Sequence, residues 1–200
     1  MQEDARPDIY LASASPRRRE LLAQLGVRYA LVAAGVDESR REGESPEMYV
    51  LRLAREKAQA GFLALGDRPP RPVLGADTVV VDGDAVLGKP RDPEHAVAML
   101  TRLGGRTHNV LTAVALVDGE REASRLCVSH VTFRPIDEAE ARRYWATGEP
   151  ADKAGGYAIQ GRAAAFIERL EGSYSGVMGL PLFETAQLLD EFEVDYQRNW

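Results

Sequence analysis

The sequence predicts an α/β fold in which helices flank a mixed β-sheet. In the first half of the chain, apolar segments typical of strands alternate with segments typical of helices. In the second half, two long β-rich segments at 106–117 and 123–133 are joined at Asp118-Gly119 and predict a hairpin. No linker, repeat or low-complexity tract interrupts the 200 residues. We therefore expect a single domain over residues 1–200, made of two lobes around a cleft.

The first predicted helix follows a short strand and begins with a run of arginines. Residues 9–11 are apolar and predict a short strand, and Ser15 and Pro16 are favoured N-cap and N1 residues of a helix. Arginines then occupy positions 17–19 in the first turn. The positive end of the helix dipole lies there, so cations at these positions are unfavourable unless an anion binds among them.

These arginines predict a phosphate-binding cradle. The helix N–H groups, the hydroxyls of Ser13 and Ser15, and the guanidinium groups of Arg17 and Arg18 are all donors suited to a phosphate oxygen. The alternative is that the arginines are solvated surface charges that Glu20 partly offsets. The spacing alone leaves both interpretations open.

A long second helix is predicted from Ser45 to about Leu65, after a strand at 28–33 and a polar loop. Positions 50, 54, 57 and 61 share one helix face, and the residue at 57 is the one charged member of this small, apolar set. This pattern predicts a partly buried Lys57. The alternative is a lysine that extends its ammonium group to solvent at the edge of the apolar stripe.

Asp77 lies inside an apolar strand at 73–81, where aspartate is unfavourable. A turn signal at 82–83 and a return strand at 85–90 predict a hairpin that brings Asp77 opposite or next to Lys89. A carboxylate in such a strand is destabilising when unpaired, so we expect it to be ion-paired or bound to a metal. A structural ion pair is the alternative to a catalytic role.

Other elements follow from shorter signals. Helices are predicted at 94–103 after Asp92, at 137–145 with a capping-box-like start, and at 180–191. A strand is predicted at 163–170 and a turn at 172–176, and we expect the acidic tail after residue 191 to be exposed to solvent.

A glycine-rich segment at 147–161 predicts an ordered loop that folds over a small ligand. In this interpretation, Tyr157 stacks on a base and Gln160 contacts a base edge. The alternative is a glycine-rich connector that contains a packed tyrosine. The segment by itself does not decide between them.

Composition excludes several functional classes. The net charge of −6 argues against general nucleic-acid binding, and no apolar run reaches the ~18 residues of a membrane span. A single cysteine, Cys127, excludes an intramolecular disulfide, and the polar, acidic N-terminus does not resemble a signal peptide. Together they predict a cytoplasmic protein. The three histidines lack the spacing of a zinc site.

Five ordered motifs resemble those of the Maf family of nucleoside triphosphate pyrophosphatases. They are SASPRR at 13–18, REKA at 55–58, GADTV at 75–79, GKP at 88–90 and DKAGGYAIQG at 152–161. The resemblance spans about residues 9–190 and implies an inosine-triphosphatase-like fold with an elongated mixed sheet. It also implies a nucleoside triphosphate substrate, cleaved by water to the monophosphate and pyrophosphate.

The segment around Gln160 resembles the dTTP/UTP pyrophosphatase branch of that family, whereas the 7-methyl-GTP branch typically carries glutamate there. A neutral amide offers both a donor and an acceptor to uracil or thymine, and a carboxylate suits the donor-rich edge of guanine better. Two alternatives stay open. The enzyme could prefer another nucleotide, such as 7-methyl-GTP or a modified pyrimidine, or the protein could be a nucleotide-binding regulator of septum formation with little turnover. A third alternative is an α/β adaptor without activity.

The resemblance also implies roles for individual residues. Asp77 matches the proposed general base, and together with Glu38 it would bind a divalent cation, Mg²⁺ or Mn²⁺. Lys57 and Lys89 match catalytic positions that hold the triphosphate with the arginines. The matches to substrate-binding or specificity positions are Ser13, Arg17, Arg18, Thr78, Lys153 and Gln160. A homodimer is implied as well, although no self-complementary surface can be identified in the sequence.

Overall fold

A computed structural model describes residues 6–200 and confirms the α/β fold. The strands are β1 (Ile9–Leu11), β2 (Tyr29–Leu31), β3 (Val73–Asp82), β4 (Ala85–Leu87), β5 (Thr107–Val117), β6 (Glu122–Phe133) and β7 (Ile167–Glu171). The helices are α1 (Pro16–Gln24), α2 (Pro46–Leu63), α3 (Pro93–Leu103), α4 (Glu138–Trp145), α5 (Tyr174–Met178) and α6 (Leu182–Glu191). The sheet order is β2-β1-β3-β5-β6-β7, and β4 pairs with β3 outside this path.

The chain divides into two compact units. The first unit comprises the residues up to Asp77, then 112–126 and 179–200, and the second comprises 78–111 and 127–178. Strands β3, β5 and β6 each contribute residues to both units. The cleft and the single domain over residues 1–200 stay predictions. Residues 1–5, which contribute to the expected absence of a signal peptide, lie outside the described residues.

In the first unit, β1 pairs in parallel with β2 and with β3. Two glycines let α2 approach this part of the sheet closely. A Cβ atom at Gly75 of β3 would lie 2.3 Å from the carbonyl oxygen of Ala54, and one at Gly61 of α2 would lie 2.9 Å from Ala12 and from Val73. Any larger residue at these positions would push α2 away from the sheet. The close approach therefore depends on both glycines.

In the second unit, β3 and β4 form the predicted hairpin. Val80 pairs with Leu87 and Asp82 with Ala85, a register that would bring Asp77 next to Lys89 if the pairing continued that far. Behind this hairpin lies a core that contains Phe133, Leu100 and Tyr144. Antiparallel pairing of β6 with β7 continues the sheet.

The predicted helix starts are mostly confirmed. The side chains of the three N-cap residues Ser45, Asp92 and Asp137 each accept a hydrogen bond from a main-chain N–H in the first turn. Ser15 also occupies the N-cap position of α1, but its hydroxyl makes no capping hydrogen bond. Among residues 6–200, no helix has the combination of length and apolar character that crossing a bilayer requires.

Three predictions about the last third of the chain were inaccurate. The expected strand at 163–170 begins as a 3₁₀ helix at Arg162–Phe166, since its consecutive alanines lack the branched side chains that favour a strand. The expected turn at 172–176 contains the start of α5. The acidic tail is partly buried, because Phe192 and Tyr196 are apolar rings that are 4% and 5% exposed.

Candidate active site

Two carboxylates share one ammonium group in the first unit. Lys57 Nζ lies 2.7 Å from Asp77 Oδ1 and 2.7 Å from Glu38 Oε1. The side chains of Lys57 and Asp77 are each 12% exposed, whereas that of Glu38 is 59% exposed. The cluster therefore has a buried end at Asp77 and an open end at Glu38. The prediction that Lys57 is partly buried is confirmed.

Local packing explains why these groups meet. Lys57 lies on the α2 face that packs against β3, between Ala54 and Ala58, which are fully buried. Gly75 lets this helix face approach β3, and Asp77 follows two residues later on the same strand face. The ammonium group that pairs with the Asp77 carboxylate is therefore that of Lys57. The β3–β4 ladder starts at Val80, so the pairing expected to bring Lys89 to Asp77 does not extend that far.

Arg18 is fixed by hydrogen bonds near this cluster. Its Nε donates to the carbonyl oxygen of Gly179 at 2.7 Å, and its Nη1 donates to Ser13 Oγ at 3.2 Å. Burial lowers the pKa of Arg18 from its usual value, while the carboxylates of Asp77 and Glu38 act in the opposite direction. The structure thus places Ser13, Arg18, Glu38, Lys57 and Asp77 in the same unit.

The start of α1 is suited to an anion. The first turn contains no acidic residue, and the N-cap side chain of Ser15 does not occupy the helix N–H groups. Instead, the main-chain N–H of Ser15 donates to Ser13 Oγ at 3.3 Å. Arg17 and Arg18 are both half-buried in this turn. A phosphate group here would meet helix N–H groups and guanidinium groups together.

The loop that carries Glu38 is held to α2 by a network that the sequence did not reveal. Arg52 donates to both carboxylate oxygens of Glu44, at 2.6 and 2.9 Å, and to the carbonyl oxygen of Ser39 at 3.0 Å. The hydroxyl of Tyr49 donates to the carbonyl oxygen of Glu38 at 2.7 Å. The hydrogen bonds from Arg52 lower the pKa of Glu44 to about 2. No spacing signal links a loop glutamate to an arginine eight residues later.

The remaining predicted residues belong to the second unit. Thr78 is half-buried, and Lys89 and Gln160 are exposed. Lys153 Nζ donates to the carbonyl oxygen of Glu149 at 2.8 Å and to Asp152 Oδ1 at 2.5 Å. The contacts of Lys153 are therefore within its own loop.

The proposed stacking role of Tyr157 is wrong. Its ring is 5% exposed, packs edge-to-face with Phe133, and carries a hydroxyl that hydrogen-bonds to His108 Nε2 at 2.8 Å. The ring is part of the core, which is the alternative that the sequence had left open. Cys127 is likewise buried.

The carboxylates of Glu38 and Asp77 suit a divalent cation with few protein ligands. Among residues 6–200, no group of three or more His, Cys, Asp or Glu side chains is arranged to hold a metal ion. Mg²⁺ in nucleotide enzymes typically takes one or two carboxylates and completes its coordination with phosphate oxygens and water. Two carboxylates that share a single ammonium group also leave a net negative charge. The donor set therefore fits such an ion.

Comparisons with known proteins identify several similar chains. The chain is 68% identical to the dTTP/UTP pyrophosphatase of Alkalilimnicola ehrlichii over 203 residues, which cover 100% of both chains. It is 56% identical to the protein of that name from Saccharophagus degradans, over 98% of this chain and 94% of the relative. The Aromatoleum aromaticum protein of the same name is 57% identical, over 92% and 95% of the two chains.

Among solved structures, the Ham1 protein of Staphylococcus aureus has a TM-score of 0.39 and 15% identity, over 63% of this chain and 70% of that chain. This likeness is too low to support an argument about fold or function. In contrast, residues 8–192 match the family model described as Maf-like protein. That range contains the five sequence motifs and every predicted site residue. The chain belongs to the Maf family.

Proposed function

We propose that this protein is a nucleoside triphosphate pyrophosphatase that hydrolyses dTTP and UTP to the monophosphate and pyrophosphate. Removing these or modified pyrimidine nucleotides would clean the nucleotide pool. The main support is the buried Asp77 carboxylate, held at 2.7 Å by Lys57, which in turn contacts Glu38. The names of relatives that are 52–68% identical support the same activity.

Asp77 is the general base of the proposed reaction. Its carboxylate orients a water molecule and accepts its proton as the water oxygen attacks the α-phosphorus. Pyrophosphate is the leaving group. Lys57 fixes the position of the base, because its ammonium group contacts Asp77 Oδ1. Phosphoryl transfer depends chiefly on such positioning and on charge neutralisation.

The triphosphate binds to the cationic groups. Arg17, Arg18 and the N–H groups at the start of α1 bind phosphate oxygens, and Lys89 contributes a further positive charge. Ser13 acts through Arg18, because Ser13 Oγ accepts a hydrogen bond from the Arg18 guanidinium group. Arginine suits this role because its planar fork contacts two oxygens at once.

Glu38 and Asp77 would hold the divalent cation, Mg²⁺ or Mn²⁺. Bound there, the cation would neutralise phosphate charge and make a nearby water more acidic. Glu38 is suited to this task because its carboxylate is 59% exposed and its loop is fixed by Arg52 and Tyr49. The exposed carboxylate would thus act as a ligand alone, whereas the buried one would be both a ligand and the general base.

Gln160 selects the base of the nucleotide. The exposed amide of Gln160 offers one donor and one acceptor to the edge of uracil or thymine. Thr78 and Lys153 complete the substrate-binding set.

We also propose a cytoplasmic, homodimeric protein that does not bind nucleic acids. The net charge of −6 disfavours binding to a polyanion, and a single cysteine, Cys127, suits a reducing compartment. Light scattering of the purified protein would test the dimer.

The function is tested by incubating the protein with Mg²⁺ or Mn²⁺ and dTTP, UTP, dCTP, ATP, GTP or 7-methyl-GTP. Pyrophosphate and orthophosphate are measured separately. We expect pyrophosphate, fastest from dTTP and UTP. Preferential turnover of 7-methyl-GTP would contradict the substrate, and orthophosphate alone would contradict the reaction. Tight nucleotide binding without turnover would identify a regulator, and neither binding nor turnover an adaptor.

A further inference from the structure

Gln160 is exposed on a segment whose main chain is fixed on both sides. Two residues before it, the N–H of Ala158 donates to the hydroxyl oxygen of Tyr144 at 3.1 Å. Two residues after it, the N–H of Arg162 donates to Glu149 Oε2 at 3.1 Å. A short loop held at both ends fixes the main-chain position from which the side chain between them projects.

The two anchoring side chains are joined to each other. The hydroxyl of Tyr144 donates to Glu149 Oε1 at 2.6 Å. Burial alone would raise the pKa of Glu149, but hydrogen bonds from Tyr144 and from the N–H groups of Arg162 and Ala163 outweigh it and keep the pKa below its usual value. The ring of Tyr144 is 4% exposed and packs edge-to-face on Phe166, which fixes the hydroxyl in place.

The segment is also shaped to receive the Glu149 carboxylate. A Cβ atom at Gly161 would lie 2.2 Å from Glu149 Oε1, so only glycine leaves room for this carboxylate beside Gln160. Lys153 holds the main chain of Glu149 from the other side, through the hydrogen bond to its carbonyl oxygen. The carboxylate is thus central to the segment, although its side chain is 17% exposed.

We infer that Tyr144 and Glu149 are positioning residues for base selection: they fix the main chain around Gln160 and thereby set the direction of its amide. This inference rests on the proposed function, since it assigns them a part in choosing dTTP and UTP. A polar group that is preorganised discriminates between substrates better than one that must be ordered on binding. The contribution of these residues is therefore to selectivity and not to the chemical step.

The test compares Tyr144→Phe, Gln160→Ala and the double variant. Tyr144→Phe keeps the packed ring and removes the hydroxyl. We expect the ratio of kcat/KM for dTTP to that for dCTP to fall about three- to tenfold, through a higher KM for dTTP at little-changed kcat. The double variant should fall no further than Gln160→Ala, since Tyr144 acts through Gln160. Tyr196→Phe is the matched control, a buried tyrosine whose hydroxyl contacts Gln197, and its ratio should not change.

Amide hydrogen exchange supplies a readout that does not need activity. We expect faster exchange at Ala158 and Arg162 in Tyr144→Phe and in Glu149→Gln, the second variant if the first fails to fold. An equal loss for every nucleotide, additive losses in the double variant, or unchanged exchange would overturn the inference. A wild-type protein that releases no pyrophosphate overturns the proposed function and the selectivity role, while exchange still decides whether Tyr144 fixes the segment.

Discussion

The Glu38–Lys57–Asp77 cluster and the segment around Gln160 are held in place by different kinds of contact. In the first, charged side chains contact one another directly, with one ammonium group at 2.7 Å from two carboxylates. In the second, a tyrosine hydroxyl and a carboxylate bind main-chain N–H groups, and the exposed side chain is a neutral amide. Charged side chains in fixed positions can stabilise the charge that develops when a bond is cleaved. A neutral amide in a fixed position can instead distinguish between nucleotide bases by hydrogen bonding.

This difference predicts separable defects. Changes in the charged cluster should alter the rate, the metal dependence and the stability that depends on ion pairs. Changes around Gln160 should alter the ranking of nucleotides. A variant that produced both effects equally would show that the two regions work as one element.

The largest effect is expected from Asp77→Asn. The amide keeps the size of the side chain and an oxygen for Lys57 Nζ, so the fold and nucleotide binding should persist. It cannot accept a proton from water, so kcat for dTTP should fall about a thousandfold. Pyrophosphate release and nucleotide binding by calorimetry measure the two properties separately.

Asp118→Asn is the control for this prediction. Asp118 lies in the β5–β6 turn, where it accepts hydrogen bonds from Arg121, and the change should leave kcat unaltered. Turnover of dTTP by Asp77→Asn at the wild-type rate would remove Asp77 from the role of base.

The next largest effect is expected from Lys57→Met. It leaves the Asp77 carboxylate in a buried position without its ammonium partner, which should lower the free energy of unfolding by about 3 kcal/mol or more. Arg55→Met is the control on the same helix, since Arg55 is half-exposed and its ion pair with Glu122 is 3.7 Å long. It should cost less than about 1 kcal/mol in urea unfolding. Equal losses would mean that Lys57 and Asp77 form an ordinary surface pair.

Sequence patterns identified the two charged residues of the cluster that lie on regular elements. Helical spacing placed Lys57 on a buried face, and an aspartate in a valine-rich strand marked Asp77 as unusual. Hairpin signals also predicted the β3–β4 register. They failed to locate the partner of Asp77, because the ladder starts at Val80 and the return strand ends at Leu87, before Pro90, which has no N–H for pairing.

Contacts made by irregular segments were not predictable in the same way. The path of a loop decides whether Arg52 meets Glu44 or Tyr144 meets Glu149, and neither pair follows a helical or strand period. The role of Tyr157 stayed open for the same reason, since the glycines around it do not reveal that its ring is buried against Phe133.

Groups that support the two regions should also respond to acid in different pH windows: His108 beside the segment around Gln160, and Glu44 in the loop that carries Glu38. Burial lowers the pKa of His108, which holds Tyr157, to about 4, although Asp82 opposes this. The unfolded chain then binds more protons between pH ~6.5 and 4, so stability is lost as the pH falls through that range, by about 3 kcal/mol in total. The Glu44 pKa of about 2 instead means that its contribution is lost below pH ~4.5.

His108→Gln isolates the first of these windows. Glutamine can still hydrogen-bond to the hydroxyl of Tyr157 but does not titrate. Urea unfolding at pH 7.5 and pH 4.5 should show a larger loss of stability for the wild type than for the variant. Parallel losses in the two proteins would place the acid sensitivity elsewhere.

The smallest expected effect, that of Glu44→Gln, gives the clearest test of whether the two regions act separately. Glu44→Gln removes the carboxylate that Arg52 grips with two hydrogen bonds, and so loosens the loop that carries Glu38. Because Glu38 is proposed to bind the metal, the Mg²⁺ concentration for half-maximal pyrophosphate release should rise about tenfold, with little change at saturation. Glu42→Gln, an exposed change in the same loop, should leave that concentration unaltered. Tyr144→Phe should leave it unaltered too, while Glu44→Gln should not change the dTTP-to-dCTP ratio. If either variant shifts both the Mg²⁺ concentration and the dTTP-to-dCTP ratio, metal binding and base selection are coupled. Glu44 would then affect more than Glu38, or Tyr144 more than Gln160.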